Sequence, residues 1–189
     1  MKIAIIGRSE LLYCTAQWLL KHGCEIPLVI TSKEAPEYKV TSDDFRQLAS
    51  SVGAHFIHTA RINEADVIEQ IRRIGEIPLA VSVNYTGLIS QHVIDLFTIG
   101  ILNAHGGDLP RYRGNACQAW AIINAEERVG LCVHKMIGGE LDSGDIIARR
   151  YHPLNINTRV GELYKWMRDE IPDMMLSSVT RLAEDSRYV

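Results

Sequence analysis

Short apolar runs alternate along the chain with stretches in which apolar residues recur every three or four positions. That rhythm predicts buried strands separated by amphipathic helices, the pattern of an α/β domain on a largely parallel sheet. Residues 2–7 form the first expected strand. A helix over 10–22 follows, with Leu11, Leu12, Ala16, Leu19 and Leu20 on one face, Ser9 as N-cap and Gly23 as its stop. Further strands are expected at 25–31, 54–57 and 79–83. Between them lie a helix over 41–52, begun by a Thr/Ser-Asp cap, and a helix over 63–73 capped by Asn63. A short helix near 91–96 precedes a strand over 100–104, which runs straight into His105-Gly106-Gly107. A helix over 116–125 comes next, with Trp120 read as core packing from its spacing with Ala116 and Ile123. Strands at 130–136 and 145–151 flank a loop over 138–144. The last helix begins after Thr158 and carries Val160, Leu163, Tyr164, Met167 and Ile171 at helical spacing, until Pro172 should kink or break it.

A chain of 189 residues has room for one domain with a sizeable core, and 47% hydrophobic with 23% charged residues is ordinary for a globular protein. The net charge of −3 gives no support to a nucleic-acid or anionic-membrane partner. The opening apolar run is interrupted at once by Arg8 and Glu10, so it reads as a strand and not a signal peptide. No stretch approaches the ~20 apolar residues of a membrane span. Cys14, Cys24, Cys117 and Cys132 are scattered without metal-ligand spacing, as expected of reduced, mostly buried thiols in a cytoplasmic protein.

In open α/β sheets ligands bind beyond the carboxyl ends of the strands. Two polar clusters fall at such ends, residues 103–115 and 138–145. Asn103 and His105 stand two apart on an expected strand and therefore share a face. An amide donor can bond a developing oxyanion and an imidazole can manage the proton of an attacking amine, which suits acyl transfer. A carboxylate from the second cluster, such as Asp142, could orient the imidazole and favour its charged form. Taken singly, His105 reads as a turn cap and Asn103 or Asp142 as turn formers.

The same residues resemble the folate-dependent N-formyltransferases, whose signature is Asn-x-His, a Leu-Pro-x-Tyr-Arg-Gly loop and a Leu-Asp-x-Gly-Asp loop. Here these stand as Asn103-Ala104-His105, Leu109-Pro110-Arg111-Tyr112-Arg113-Gly114 and Leu141-Asp142-Ser143-Gly144-Asp145. The resemblance spans the chain from first strand to final helix. It implies a Rossmann-like formyltransferase fold, with a mostly parallel central sheet and helices on both faces, filling residues 1–189 as one catalytic domain, with or without a further C-terminal extension. It implies that Asn103 polarises the formyl carbonyl and stabilises the tetrahedral intermediate, that His105 moves the proton, and that Asp142 holds His105 and orders a water. The co-substrate it implies is 10-formyltetrahydrofolate, with no metal, its pterin lying against Asn84, Tyr85, Leu88, Ile89, Met136, Gly139 and Leu141. One departure stands out: many relatives carry Pro-Ser where this chain has Gly106-Gly107, which removes a hydroxyl and permits positive φ.

For the acceptor, the run from Arg113-Gly114-Asn115 to Trp120 and Asn124 resembles the sugar-nucleotide branch, nearest in pattern to GDP-perosamine N-formyltransferases of bacterial surface-polysaccharide synthesis. Arg8, Arg111, Tyr112, Arg113 and Asn115 are the expected substrate contacts, since arginine forks suit phosphate oxygens. The expected partners are thus folate and a nucleotide sugar, with no nucleic acid and no membrane; a homodimer is the assembly common among relatives. Transfer-RNA formylation is the alternative, but in relatives it draws on a further C-terminal domain and a basic surface, neither of which stands in these residues. Glycinamide ribonucleotide is a second alternative acceptor, and a non-catalytic folate- or nucleotide-sugar-binding protein an alternative of another class. A dinucleotide oxidoreductase is disfavoured because the run after the first strand lacks the second and third glycines of that motif. His55 and His58 face opposite sides of an expected strand and give no metal pair, His134 and His152 read as surface or packing histidines, and Glu126-Glu127 reads as a solvated charge pair.

Overall fold

A computed structural model describes residues 1–188. Seven strands, β1 Lys2–Gly7, β2 Glu25–Thr31, β3 His55–His58, β4 Leu79–Val83, β5 Gly100–His105, β6 Arg128–Lys135 and β7 Ile146–Pro153, form one sheet in the order β3-β2-β1-β4-β5-β6-β7. The first five pair in parallel, while β6 and β7 run antiparallel to their neighbours. Six helices cover it: α1 Ser9–Lys21, α2 Ser42–Val52, α3 Ala65–Ile74, α4 Gln91–Ile94, α5 Cys117–Ile123 and α6 Val160–Glu184. The doubly wound α/β fold expected from the apolar rhythm is therefore the observed one.

Strand β1 explains the layering. Its side chains alternate between faces, and both faces are buried. Ile3 and Ile5 pack with Leu11, Leu12 and Leu19 of α1, Phe45 of α2, and Ile171, Met174 and Met175 of α6. Ala4 and Ile6 face Val67, Ile68 and Ile71 of α3 and Val93 of α4. The chain winds outward from β1 to β3 and then returns to β4 on the other side of β1. This reversal opens a crevice at the carboxyl ends of β1, β4 and β5, where Gly7, Val83 and His105 end their strands.

Local signals held unevenly. Thr41 caps α2 in a reciprocal box with Asp44, and Gly23, at φ +83°, follows the end of α1. Ser9 does not cap α1. It is the helix's first residue, buried at φ +81°, and its hydroxyl accepts a hydrogen bond from Asn84 Nδ2 at 3.3 Å. Asn63 does not cap α3 either: its amide ties Leu88 O and Ser90 N, which fixes the loop beyond β4. Pro172 does not end α6, which continues for three more turns. Ile171, Met174 and Met175 bury the apolar face through that turn, while Arg150 bridges Glu170 and Asp173 on the outer side. Trp120 is 54% exposed and not core, because the two-turn α5 buries only Cys117 and Ala121.

Candidate active site

Asn103 and His105 project from the carboxyl end of β5 on a shared face. Antiparallel pairing with β6 sets His134 directly opposite Asn103. His134 is 1% exposed. Its Nδ1 lies 3.0 Å from the carbonyl oxygens of Lys135 and Ser143, so this nitrogen carries the proton, and Nε2 is left to accept from Asn103 Nδ2 at 3.2 Å. Burial pushes this imidazole below its ordinary pKa, against the pull of the two carbonyls, and keeps it neutral. The anchor orients the Asn103 amide and leaves a second N–H for a ligand oxygen. The sequence pattern gave His134 only a surface or packing role. The alternation that puts it opposite Asn103 becomes visible only once the β5–β6 register is known.

His105 is held from two sides. Its Nε2–H donates to the Tyr112 carbonyl at 2.7 Å, and its Nδ1 faces Asp142 Oδ1 at 3.4 Å. The other oxygen of Asp142 accepts from the Gly114 amide at 2.8 Å, which pins the carboxylate. Nδ1 is thus the atom able to take up or release a proton, beside a carboxylate that stabilises the charged ring. Asp142, at φ +45°, and Asn84, at φ +55°, both adopt the left-handed region that non-glycine residues rarely occupy. Backbone strain therefore gathers in the two loops that frame the cleft.

Gly106 and Gly107 serve close approach, and neither has a positive φ, so the expectation of conformational freedom is corrected. A Cβ on Gly107 would overlap the Tyr112 carbonyl and come within 2.5 Å of His105 Nε2, destroying the bond between them. A Cβ on Gly106 would overlap the Gln118 amide and sit 2.7 Å from Met167 Sδ. Cys117 Sγ packs 3.6 Å from His105 Nε2, and burial, reinforced by Asp142, pushes the thiol up to about 11, so it stays neutral.

These groups open on a cavity of about 170 Å³. Asn103, His105 and Asp142 all line it. Asn84, Tyr85, Leu88, Met136 and Leu141 line it as well; Ile89 and Gly139 lie outside the lining, Ile89 buried in the core with its carbonyl holding the Gly139 amide. The lining also includes Leu11, Gly106, Asn115, Cys117, Gln118 and Met167. Of the expected substrate contacts only Asn115 is here. Arg8 donates to the carbonyls of Asn84 and Lys33, and Arg113 is exposed outside the cavity. Arg111 and Tyr112 both turn to Glu126, which is a partly buried hub rather than a solvated charge. A second cavity of about 490 Å³ adjoins the α1–α6 seam, with Tyr38, Lys39, Tyr164, Lys165 and Arg168 among its walls. Among the described residues, no group of three or more His, Cys, Asp or Glu side chains gathers as a metal site would require. No helix among them is long and apolar enough to cross a membrane.

An amide, an imidazole and a carboxylate meet at the switch point of a doubly wound sheet, an arrangement with the chemistry that acyl-group transfer requires. Comparison with known proteins gives the particular class: residues 1–179 match the formyl transferase family, and the chain belongs to it. Similar curated proteins include the methionyl-tRNA formyltransferases of Ruminiclostridium cellulolyticum, 30% identical over 88% of this chain and 54% of that protein, and of Solibacter usitatus, 29% identical over 79% and 49%. The chain spans about half the length of these relatives. Among solved structures, phosphoribosylglycinamide formyltransferase from Bacillus halodurans superposes with a TM-score of 0.80 at 18% identity, covering 99% of this chain and 97% of that one. The sugar 3N-formyl transferase WlaRD superposes at 0.74 and 22% identity, covering 98% and 64%.

Proposed function

We propose that this chain is the catalytic domain of a cytoplasmic N-formyltransferase that moves the formyl group of 10-formyltetrahydrofolate to the amine of a nucleotide-linked amino sugar. The observation that carries the reading is the convergence of Asn103, His105 and Asp142 on one cavity. Folate fits the end lined by Tyr85, Leu88, Met136 and Leu141: Leu88 is 52% and Leu141 54% exposed, apolar faces that a flat ring would cover. When bound, formyl-folate supplies an activated one-carbon unit on nitrogen. The acceptor amine would add to the formyl carbon, and the bond from that carbon to the folate nitrogen would then break. Asn103 Nδ2 donates to the formyl oxygen as negative charge develops there. His105 Nδ1 takes the amine proton and returns it to the departing nitrogen, with Asp142 stabilising the charged ring between the two transfers.

For the acceptor, the support is the Arg113-Gly114-Asn115 motif, the fold likeness to a sugar N-formyltransferase, and the second cavity. Lys39 and Lys165 there offer cations for a diphosphate beside the carboxylates of Glu10 and Glu37, and Tyr38 and Tyr164 offer ring faces. That assignment moves the phosphate role away from Arg111, which is paired with Glu126. The curated relatives favour a second reading, formylation of methionyl-tRNA by a longer protein. Incubation with 10-formyltetrahydrofolate and, separately, GDP- and dTDP-linked 4-amino-4,6-dideoxy sugars, glycinamide ribonucleotide and methionyl-tRNA decides between them. Gain of one formyl group by a nucleotide sugar is the expected result. Formylation of only one of the other two acceptors would overturn the sugar assignment.

A further inference from the structure

Gln118 lines the same cavity as His105 in a way the mechanism above does not use. Its side chain lies in the space a Cβ on residue 106 would fill, so the glycine and the amide are sterically matched. Among the described residues its one hydrogen-bond partner is Met167 Sδ, 3.1 Å from Nε2. A thioether is a weak acceptor. It fixes which way the amide points without satisfying it, and Oε1 is left with no partner on the wall of a cavity. Leu11, Cys117 and Met167, which share the lining with it, are apolar or neutral, so this oxygen is an uncommitted acceptor beside the side-chain oxygens of Asn103 and Asn115. An attacking primary amine has two N–H groups. His105 can take one as the bond to carbon forms, and the second needs an acceptor if its lone pair is to aim at the formyl carbon.

We infer that Gln118 is a positioning residue, whose side-chain carbonyl accepts the second N–H of the acceptor amine and aims its lone pair, in a place that exists because residue 106 is glycine. The inference rests on the formyltransferase reading of the cavity and holds for whichever amine is the substrate.

The test is steady-state kinetics on the full chain, using 10-formyltetrahydrofolate and the acceptor that the wild-type protein formylates in the panel above. Gln118→Leu keeps the volume and loses the acceptor oxygen. It should raise KM for the amine or lower kcat/KM for it about tenfold, with KM for formyl-folate within about twofold and the melting temperature retained. Gln118→Glu keeps an oxygen at the same reach and should recover most of the loss, which a packing role would not do. Gly106→Ala should reproduce the amine-specific defect in the wild-type background and add little to Gln118→Leu, because the two changes disturb one contact. An unchanged kcat/KM for the amine in Gln118→Leu would overturn the inference. So would equal losses for Leu and Glu, or fully additive effects of Gly106→Ala. Formylation of glycinamide ribonucleotide or methionyl-tRNA in place of the sugar would sink the sugar assignment alone, and the same variants would then be read with that acceptor.

Discussion

Neutral His134 gives the Asn103 amide its orientation, and this dependence carries a pH signature. Burial makes the folded imidazole bind its proton more weakly than the ordinary value of 6.5. The stabilisation it contributes is therefore complete above 6.5 and is lost as pH falls through the lower folded value. Thermal unfolding followed from about pH 7.5 down to about pH 5 should show a steeper loss for wild type than for His134→Gln, which has no proton to gain. His134→Leu should cost about 1 kcal/mol in denaturant unfolding, because the half-buried Asn103 N–H loses its acceptor. Parallel pH curves for wild type and His134→Gln would refute the account of this histidine. The convergence of Asn103, His105 and Asp142 on one cavity was legible in the sequence because their motifs are contiguous and ordered. His134 was not, because its role comes from lying across a strand pair, and Arg111 misled because its charge is spent on Glu126 fifteen residues away.

Among the elements, strand and helix positions followed from apolar periodicity, whereas caps and breaks did not follow from residue type alone. Thr41 and Asn63 look alike as helix starters, yet only Thr41 bonds into the first turn of its helix. Asn63 spends its amide on the 88–90 loop, a long-range choice that no local pattern records. Thr41→Ala should accordingly destabilise the protein by about 1 kcal/mol through loss of the α2 cap, measured by urea unfolding. Catalytic turnover should be unaffected, since α2 lies away from the cavity; a loss of turnover without a loss of stability would contradict this division. Pro172 shows the same principle with opposite sign. An interior proline costs a helix about 3 kcal/mol, yet buried Ile171, Met174 and Met175 carry α6 past it. Tertiary packing overrides propensity there, and propensity was all the sequence displayed.

Across the whole molecule, the sheet order places the ends of β1, β4 and β5 along one crevice, and the two antiparallel strands bring the Asp142 loop back over it. Lining residues such as Asn84, Leu88 and Leu141 were recoverable in sequence because they occupy the loops at those ends, while Leu11, Gln118 and Met167 were not, since they come from three helices that meet only in the fold. The account stands on formyl transfer occurring at His105, so the most direct measurement is single-turnover formylation by wild type and His105→Ala, with folate affinity followed in parallel. The rate should fall by about 10²–10⁴-fold while folate affinity stays within about twofold. Turnover by His105→Ala at the wild-type rate would contradict the placement of the chemistry at this cavity.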